Sequence, residues 1–308
     1  MTVLVLGSLN MDLVVRANRL PTVGETLMGH EFFSAFGGKG ANQAVALTKL
    51  GQPTQFVGQV GEDDFGQTLL LALQAAGVNI DGVAVNPATH SGVASIVVTD
   101  SGENTIACAP GANSQVGQAQ VDYLRQHLSS ASWLLLELGI PLAAVLQAAQ
   151  TARAAQLPVL LDPSPVPEMM PPELYPCIDI LTPNETEATQ LVGFEVNSPQ
   201  AAQQAAQQLR EQGVKTVIVT LGAQGAWCSS PDGEFWQPAP PVEVIDTVAA
   251  GDAFNGALIA ALCAGLSLPT AVKWGVAAGS FAVTQRGAQP ALPDRAAVEE
   301  LLAVMERP

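Results

Sequence analysis

The chain of 308 residues is 48% hydrophobic and carries a formal charge of −16, from 28 acidic against 12 basic residues. That length buries a core without disulfides or structural metal, and scattered Lys and Arg lack the concentrated basic face that a nucleic-acid backbone requires. The four cysteines, Cys108, Cys177, Cys228 and Cys263, form no CxxC pair, so they read as small buried hydrophobes of a reducing compartment rather than zinc ligands.

The opening MTVLVLGSLNMD has no basic leader and too short an apolar stretch for a signal sequence. Its VLVLG (3–7) is the first predicted strand. Residues 11–35 then alternate apolar and polar side chains around Gly, Pro and Asn turns, as hairpin strands do. A strand at FVGQV (56–60) follows, and a second alternating region at 91–107 is expected to join the first in a small separate sheet. Further strands are predicted at SWLLLEL (132–138), PVLLD (158–162), DILT (179–182) and TVIVT (216–220), with a helix over AAQQAAQQLREQG (201–213) that ends in glycine. Short β-rich runs between Ala- and Gln-rich stretches imply a parallel sheet covered by helices on both faces. DPSPVPEMMPPELYP (162–176) reads as a surface loop, the four tryptophans as core, and His30, His90 and His127 share no ligand spacing. The longest apolar run, ALIAALCAGLSL (257–268), is shorter than the roughly 20 residues that span a bilayer. No membrane contact is expected, and the cytoplasm is the expected location.

Four stretches carry chemistry. FGGKGANQAVAL (36–47) is a glycine-rich turn opening an apolar helix, where Lys39 and Asn42 can aim donors at an oxygen-rich ligand; it is neither a Walker A loop nor a GxGxxG motif. TPNETEATQLVG (182–193) puts Asn184 and Glu187 three apart, on one face of a first helical turn. The pair reads equally as an organiser of water around Mg²⁺ or as an Asn N-cap with acidic first-turn residues. VTLGAQGAW (219–227) ends a strand at Thr220 and turns through Gly222 and Gly225, either beneath a nucleotide or as a plain hairpin.

DTVAAGDAFNGAL (246–258) places Asp252 behind a small-residue step at the mouth of a helix. The amides of Ala249, Ala250 and Gly251 can cradle an anion there, and Asp252, held ionised by the helix dipole, can accept a proton from an attacking hydroxyl. Capping of the helix by Asp252 explains the same letters, and the segment alone does not decide between them.

GGKGANQA, TPNETEA and DTVAAGDAFNGAL, in this order, resemble the ribokinase family of sugar kinases, also called the PfkB family of carbohydrate kinases. The likeness runs from GSLNMD (7–12) to GAQPALP (287–293). It implies a single α/β domain over 1–308: a doubly wound, mostly parallel sheet flanked by helices, with a β lid from the insertions at 11–35 and 91–107. Homodimers through the lid are common in the family. Asp252 would be the general base toward the primary hydroxyl of a sugar, and Ala249, Ala250 and Gly251 the anion hole for the transferred γ-phosphoryl of ATP. Sugar contacts match at Asn10, Asp12, Gly38, Lys39, Asn42 and Asp252, and nucleotide contacts at Asn184, Thr220, Gly222 and Gly225. Asn184 and Glu187 would also place Mg²⁺ through water. A monovalent cation, usually K⁺, would sit at Asp246 with backbone oxygens near Val248, Val283 and Gly287.

The chain departs from the family pattern in three places. Gly139 stands where relatives carry a sugar-contacting glutamate, Ala291 where a serine is common near the cation, and Val276 where the adenine pocket is often polar. Glu137, two residues before Gly139, is expected either to reach forward through water or to leave room for a different sugar substituent. The resemblance implies phosphorylation of a pentose, foremost D-ribose to ribose 5-phosphate. Deoxyribose, fructose or a nucleoside such as pseudouridine are rival acceptors, though 5% aromatic residues offer little stacking surface for a base. A non-catalytic sugar- or nucleotide-binding protein would have no need of Asp252, and a nicotinamide oxidoreductase would need the missing GxGxxG.

Overall fold

The computed structural model describes residues 1–306, so the last two positions of the expected 1–308 domain lie outside the described residues. The first half runs β1 (Thr2–Leu6), β2 (Asn10–Ala17), β3 (Glu31–Gly37), α1 (Lys39–Lys49), β4 (Thr54–Gly61), α2 (Asp64–Ala75), β5 (Asn79–Asn86), β6 (Gly92–Thr99) and β7 (Asn104–Ala109). The second half continues with α3 (Gln118–His127), β8 (Ala131–Glu137), α4 (Leu142–Ala154), β9 (Val159–Asp162), β10 (Ile180–Leu181), α5 (Glu185–Val192), α6 (Pro199–Glu211) and β11 (Thr216–Thr220). It closes with β12 (Ala226–Ser230), β13 (Gly233–Gln237), α7 (Ala250–Cys263), α8 (Leu268–Ala282) and α9 (Arg295–Met305).

Nine strands form one sheet in the order β13-β12-β11-β10-β9-β8-β1-β4-β5. From β11 to β5 all neighbours are parallel, while β12 and β13 add an antiparallel hairpin at one edge. The period of two along each strand divides the core. Val3, Val5, Leu135, Leu160 and Ile218 face the layer of α1, α7 and α8, whereas Leu4, Leu6, Leu134, Leu136, Leu161 and Val217 face that of α3, α4 and α6. Successive strands build outward from β1 in both directions, so the strand order reverses between β1 and β8. Such a switch opens a crevice at the carboxyl ends of the strands, where ligands of open α/β sheets bind.

The two alternating regions form a second sheet, in the order β3-β2-β6-β7. Each contributes an antiparallel pair, joined by the parallel pairing of β2 with β6. Asp12 lies opposite Ala35 on one side and Ala94 on the other, and Ala94 in turn opposite Cys108.

The predicted strands and the helix at 201–213 are present, the helix beginning two residues earlier at Pro199 with Ser198 as its cap. Four expectations are corrected. Strand β5 was not anticipated, because its exposed edge position gives it a mixed burial pattern. The segment 162–176 is not a plain surface loop: Asp162 and Pro163 are buried at the crevice, and Leu174 and Tyr175 pack into the core. Cys108 is exposed on an edge strand, unlike buried Cys177 and Cys228. Trp236 is 48% exposed, its indole nitrogen donating to the Gln224 carbonyl. No helix among the described residues is long and apolar enough to cross a membrane.

Candidate active site

Helices α1 and α7 meet at a contact that Gly256 makes possible, since a Cβ there would lie 2.5 Å from the Ala46 Cβ. This close crossing brings the first turns of both helices together at the crevice. Asp252 is 3% exposed; its Oδ2 accepts from Asn42 Nδ2 at 2.9 Å and its Oδ1 from Gln43 Nε2 at 3.1 Å. It is the third residue of α7, whose cap position is Ala249, and the helix has no side-chain cap. The capping reading of Asp252 is therefore overturned. So is the expectation that the dipole holds its carboxyl down: burial raises it above the usual carboxylate range, against the opposing pull of Lys39, Asn42 and Gln43.

Ala249 adopts a left-handed conformation, φ 60°, uncommon for a residue with a side chain. The amides of Ala249 and Gly251 have no acceptor among the described residues, and that of Ala250 lies a long 3.4 Å from the Thr247 carbonyl. A Cβ on Gly251 would meet nothing within 4 Å. The start of α7 is thus a set of unspent donors opening on a cavity of about 820 Å³.

That cavity is lined by Lys39, Asp162, Asn184, Glu187, Thr220, Gly222, Gly225, Ala249, Ala250, Gly251 and Asp252, with apolar Pro241, Val244, Val276 and Val283 along one side. The structure brings the expected nucleotide set together. Asn184 and Thr220 are joined by a bridge between chain segments. Asn184 and Glu187 form a reciprocal capping box, each side chain accepting from the other's backbone amide at 2.9 Å. The capping reading of the pair is therefore observed, and because the cap engages one oxygen of each side chain, the second Glu187 oxygen is left outside it.

The expected sugar contacts adjoin Asp252. Gly38 has φ 93°, and a Cβ there would strike the Ser8 carbonyl at 2.5 Å and the Asn10 amide at 2.9 Å. Only glycine permits that turn, which seats Lys39 and Asn42 beside the β1–β2 loop. Asn10 Oδ1 accepts from Asn113 Nδ2 at 2.8 Å; Asn113, buried in the short turn after β7, also clamps both backbone polar groups of Leu9. Asp12 lies over Gly37 on the small sheet, and burial raises its carboxyl to about 6. Lys39 Nζ is 3.4 Å from Asp162 Oδ2. Burial would lower its ammonium, but the carboxylates of Asp162, Asp252, Glu187 and Glu137 outweigh that and hold it above its ordinary value.

Glu137 is fully buried. Its Oε1 takes the Ser8 amide and its Oε2 the Gly139 amide at 2.6 Å, and burial raises its carboxyl against those bonds. It ties the ends of β1 and β8 together, so the expectation that it reaches forward to a ligand is overturned.

The expected cation set is also assembled, behind the cavity wall. Asp246 accepts from the Val248 amide at 3.0 Å and the Gly287 amide at 2.9 Å. The Val283 carbonyl accepts from the amides of Ile245 and Asp246 at 2.7 and 3.2 Å. The Asp246 carboxylate keeps lone pairs for a cation, whereas the Val283 backbone carbonyl already accepts two hydrogen bonds. Asp162, Gln43 and Asn113 escaped the sequence reading. For Asp162, its position at the carboxyl end of a predicted parallel strand was the available signal; Gln43 lay inside a quoted motif with nothing to mark it.

Residues 2–295 match the model of the pfkB family carbohydrate kinases. The chain belongs to this family. Within it, the ribokinase of Haemophilus influenzae is 39% identical over 301 residues, covering 98% of each chain. The deoxyribokinase of Salmonella typhi is 34% identical over 307 residues, covering 99% of this chain and all of its own. The structure of Arabidopsis thaliana ribokinase complexed with ribose and ATP superposes with a TM-score of 0.88 at 35% identity, covering 97% of this chain and 98% of that one. As a pfkB carbohydrate kinase the chain is a phosphotransferase, and the doubly wound sheet with its small second sheet is the ribokinase fold.

Proposed function

We propose that this kinase transfers the γ-phosphoryl group of ATP to the primary hydroxyl of a pentose, D-ribose foremost, with Asp252 as general base. One observation carries the reading: Asp252 stands where two sets of residues meet, hydrogen-bonded to Asn42 of the sugar set and lining the cavity of the nucleotide set. A buried carboxylate with a raised pKa is a stronger base than one in water, suited to drawing a proton from a hydroxyl as its oxygen attacks. Asn10, Asp12, Lys39 and Asn42 orient the sugar through its hydroxyls. The free amides of Ala249 and Gly251, with the weakly engaged amide of Ala250, receive the charge on the transferred group, whose transfer needs mainly positioning and charge stabilisation.

Asn184 and the free oxygen of Glu187 suit a hydrated Mg²⁺, which would neutralise the donor phosphates when bound. A K⁺ ion fits Asp246 with carbonyls of Val248 and Gly287; Val283 would have to release an amide to join them. Two copies would pack through the small sheet, acting in the cytoplasm. The reading is tested by Asp252→Asn. Turnover should fall by about 10²–10⁴ while KM for both substrates stays within about threefold; retention of a large share of kcat would remove Asp252 from the role.

Similarity to a deoxyribokinase gives the second reading, 2-deoxyribose as acceptor. It is favoured by Gly139, which presents no side chain where family members place a sugar-contacting glutamate.

A further inference from the structure

Gln43 is completely buried, and its one amide nitrogen serves two carboxylates: Asp162 Oδ2 at 2.8 Å and Asp252 Oδ1 at 3.1 Å. An amide nitrogen has two hydrogens, so each carboxylate takes one and the separation of the two acids is fixed. Its carbonyl Oε1 has no partner among the described residues, which shows that the amide is oriented by the acids rather than by its own acceptor. Asp162 Oδ2 is in turn the nearest anion to Lys39 Nζ, at 3.4 Å. The charged groups facing Asp162 are Lys39 on α1, Glu187 on α5, Asp252 on α7 and Glu137 on β8. Lys39 is the one cation of that set, and four carboxylates compete for it.

We propose that Asp162 and Gln43 are positioning residues for the base: Asp162 keeps the Lys39 ammonium off Asp252, and Gln43 fixes the Asp252 carboxylate toward the acceptor hydroxyl. The proposal rests on the reading of Asp252 as the base. An ammonium on a flexible four-carbon stem settles on whichever anion is nearest. Paired directly with Lys39, Asp252 would be a weaker base, because an adjacent positive charge favours the ionised form. With Lys39 held by Asp162, its charge still faces the cavity while the base keeps its proton affinity. Burial raises Asp162 to about 7, with Lys39 pulling the other way. Above that pH it is anionic and holds the lysine; below it the hold relaxes.

The two roles give opposite pH signatures, which merely structural residues would not. Asp162→Asn removes an anion and frees Lys39 to pair with Asp252, so the acid limb of kcat against pH should move to lower pH. Its plateau should drop by about tenfold, with KM for ribose and ATP within about threefold. Gln43→Met removes a bond that favours ionised Asp252, so its acid limb should move to higher pH. Should Asp162→Asn fail to fold, Gln43→Met decides the matter through the direction of its shift. Unmoved acid limbs, or changes in KM alone, would overturn the proposal. An active Asp252→Asn would instead overturn the base reading beneath it, whereas an inactive Asp252→Asn with unmoved limbs in the other variants would sink this proposal only.

Discussion

At the residue scale the site places carboxylates where burial works against their charge. Asp12 is the clearest case for stability, because its carboxyl titrates at about 6 in the folded chain against 3.8 for the free side chain. Between those values the folded state binds the extra proton, so the contribution of Asp12 to stability falls as pH rises through that window and stays lower above it. Asp12→Asn should therefore raise Tm at neutral pH by a few degrees while weakening ribose binding at least about tenfold, since a sugar hydroxyl loses its charged acceptor. Thermal melts and ribose titrations check both, and a fall in Tm would contradict the sign. Gly139 carries a different expectation. A Cβ there would lie 2.7 Å from Glu137 Oε2 and 2.9 Å from Ser8 Oγ, so Gly139→Glu alone should destabilise the chain. Pairing it with Ser8→Gly, which removes the Oγ at 2.9 Å and the Cβ at 3.2 Å from the new Cβ and leaves the Glu137 bonds in place, should recover part of the lost Tm and permit sugar preference to be compared. Recovery of nothing by the second substitution would show that the clash lies elsewhere.

At the element scale the start of α7 joins sequence to chemistry. DTVAAGDAFNGAL indicated a helix mouth with exposed amides, and that was legible because glycine and alanine leave backbone donors uncovered. The orientation of Asp252 was not legible: capping and catalysis predict the same letters, and only the crossing of α1 over α7 turns its carboxyl to Asn42 and Gln43. Asn184 and Glu187 were legible as a pair because their three-residue spacing at a helix start is that of a capping box, which the structure contains. Gly251→Ala isolates the cradle from the fold. Its backbone is not left-handed and a Cβ meets nothing within 4 Å, so alanine, better in a helix by about 1 kcal/mol, should leave Tm unchanged or slightly higher. The methyl group would stand in the cavity before the free amides, and kcat should fall by at least about tenfold. A fully active variant would show that anions do not approach α7 on that side.

At the scale of the whole molecule, the alternation of strand and helix made the sheet and its layers legible. The outermost strands were not, because β5 and β13 are largely exposed and carry no clean period, while the buried β12 was indicated only as one of two readings of the turn at Gly222 and Gly225. Both insertions were recognised from their period of two, yet their parallel junction through β2 and β6 is a long-range pairing that no local pattern records. On the face that bears Asp12, a row runs across the small sheet from Phe33 through Val14 and Ile96 to Ile106. Phe33 and Ile106 are 36% and 53% exposed, an apolar surface suited to a second copy. If two copies pair through this face as proposed, light scattering should give a dimer for the parent chain and a monomer for Ile106→Asp, with a raised KM for ribose; a monomeric parent, or a dimer unchanged by the substitution, would contradict the pairing. Phosphorylation of a pentose by this kinase is read out by ADP release from MgATP with D-ribose, 2-deoxyribose, fructose, adenosine and pseudouridine in turn, each with K⁺ or Na⁺. Turnover highest on D-ribose and faster in K⁺ is the expected result, and no sugar-dependent ADP with any pentose would contradict it.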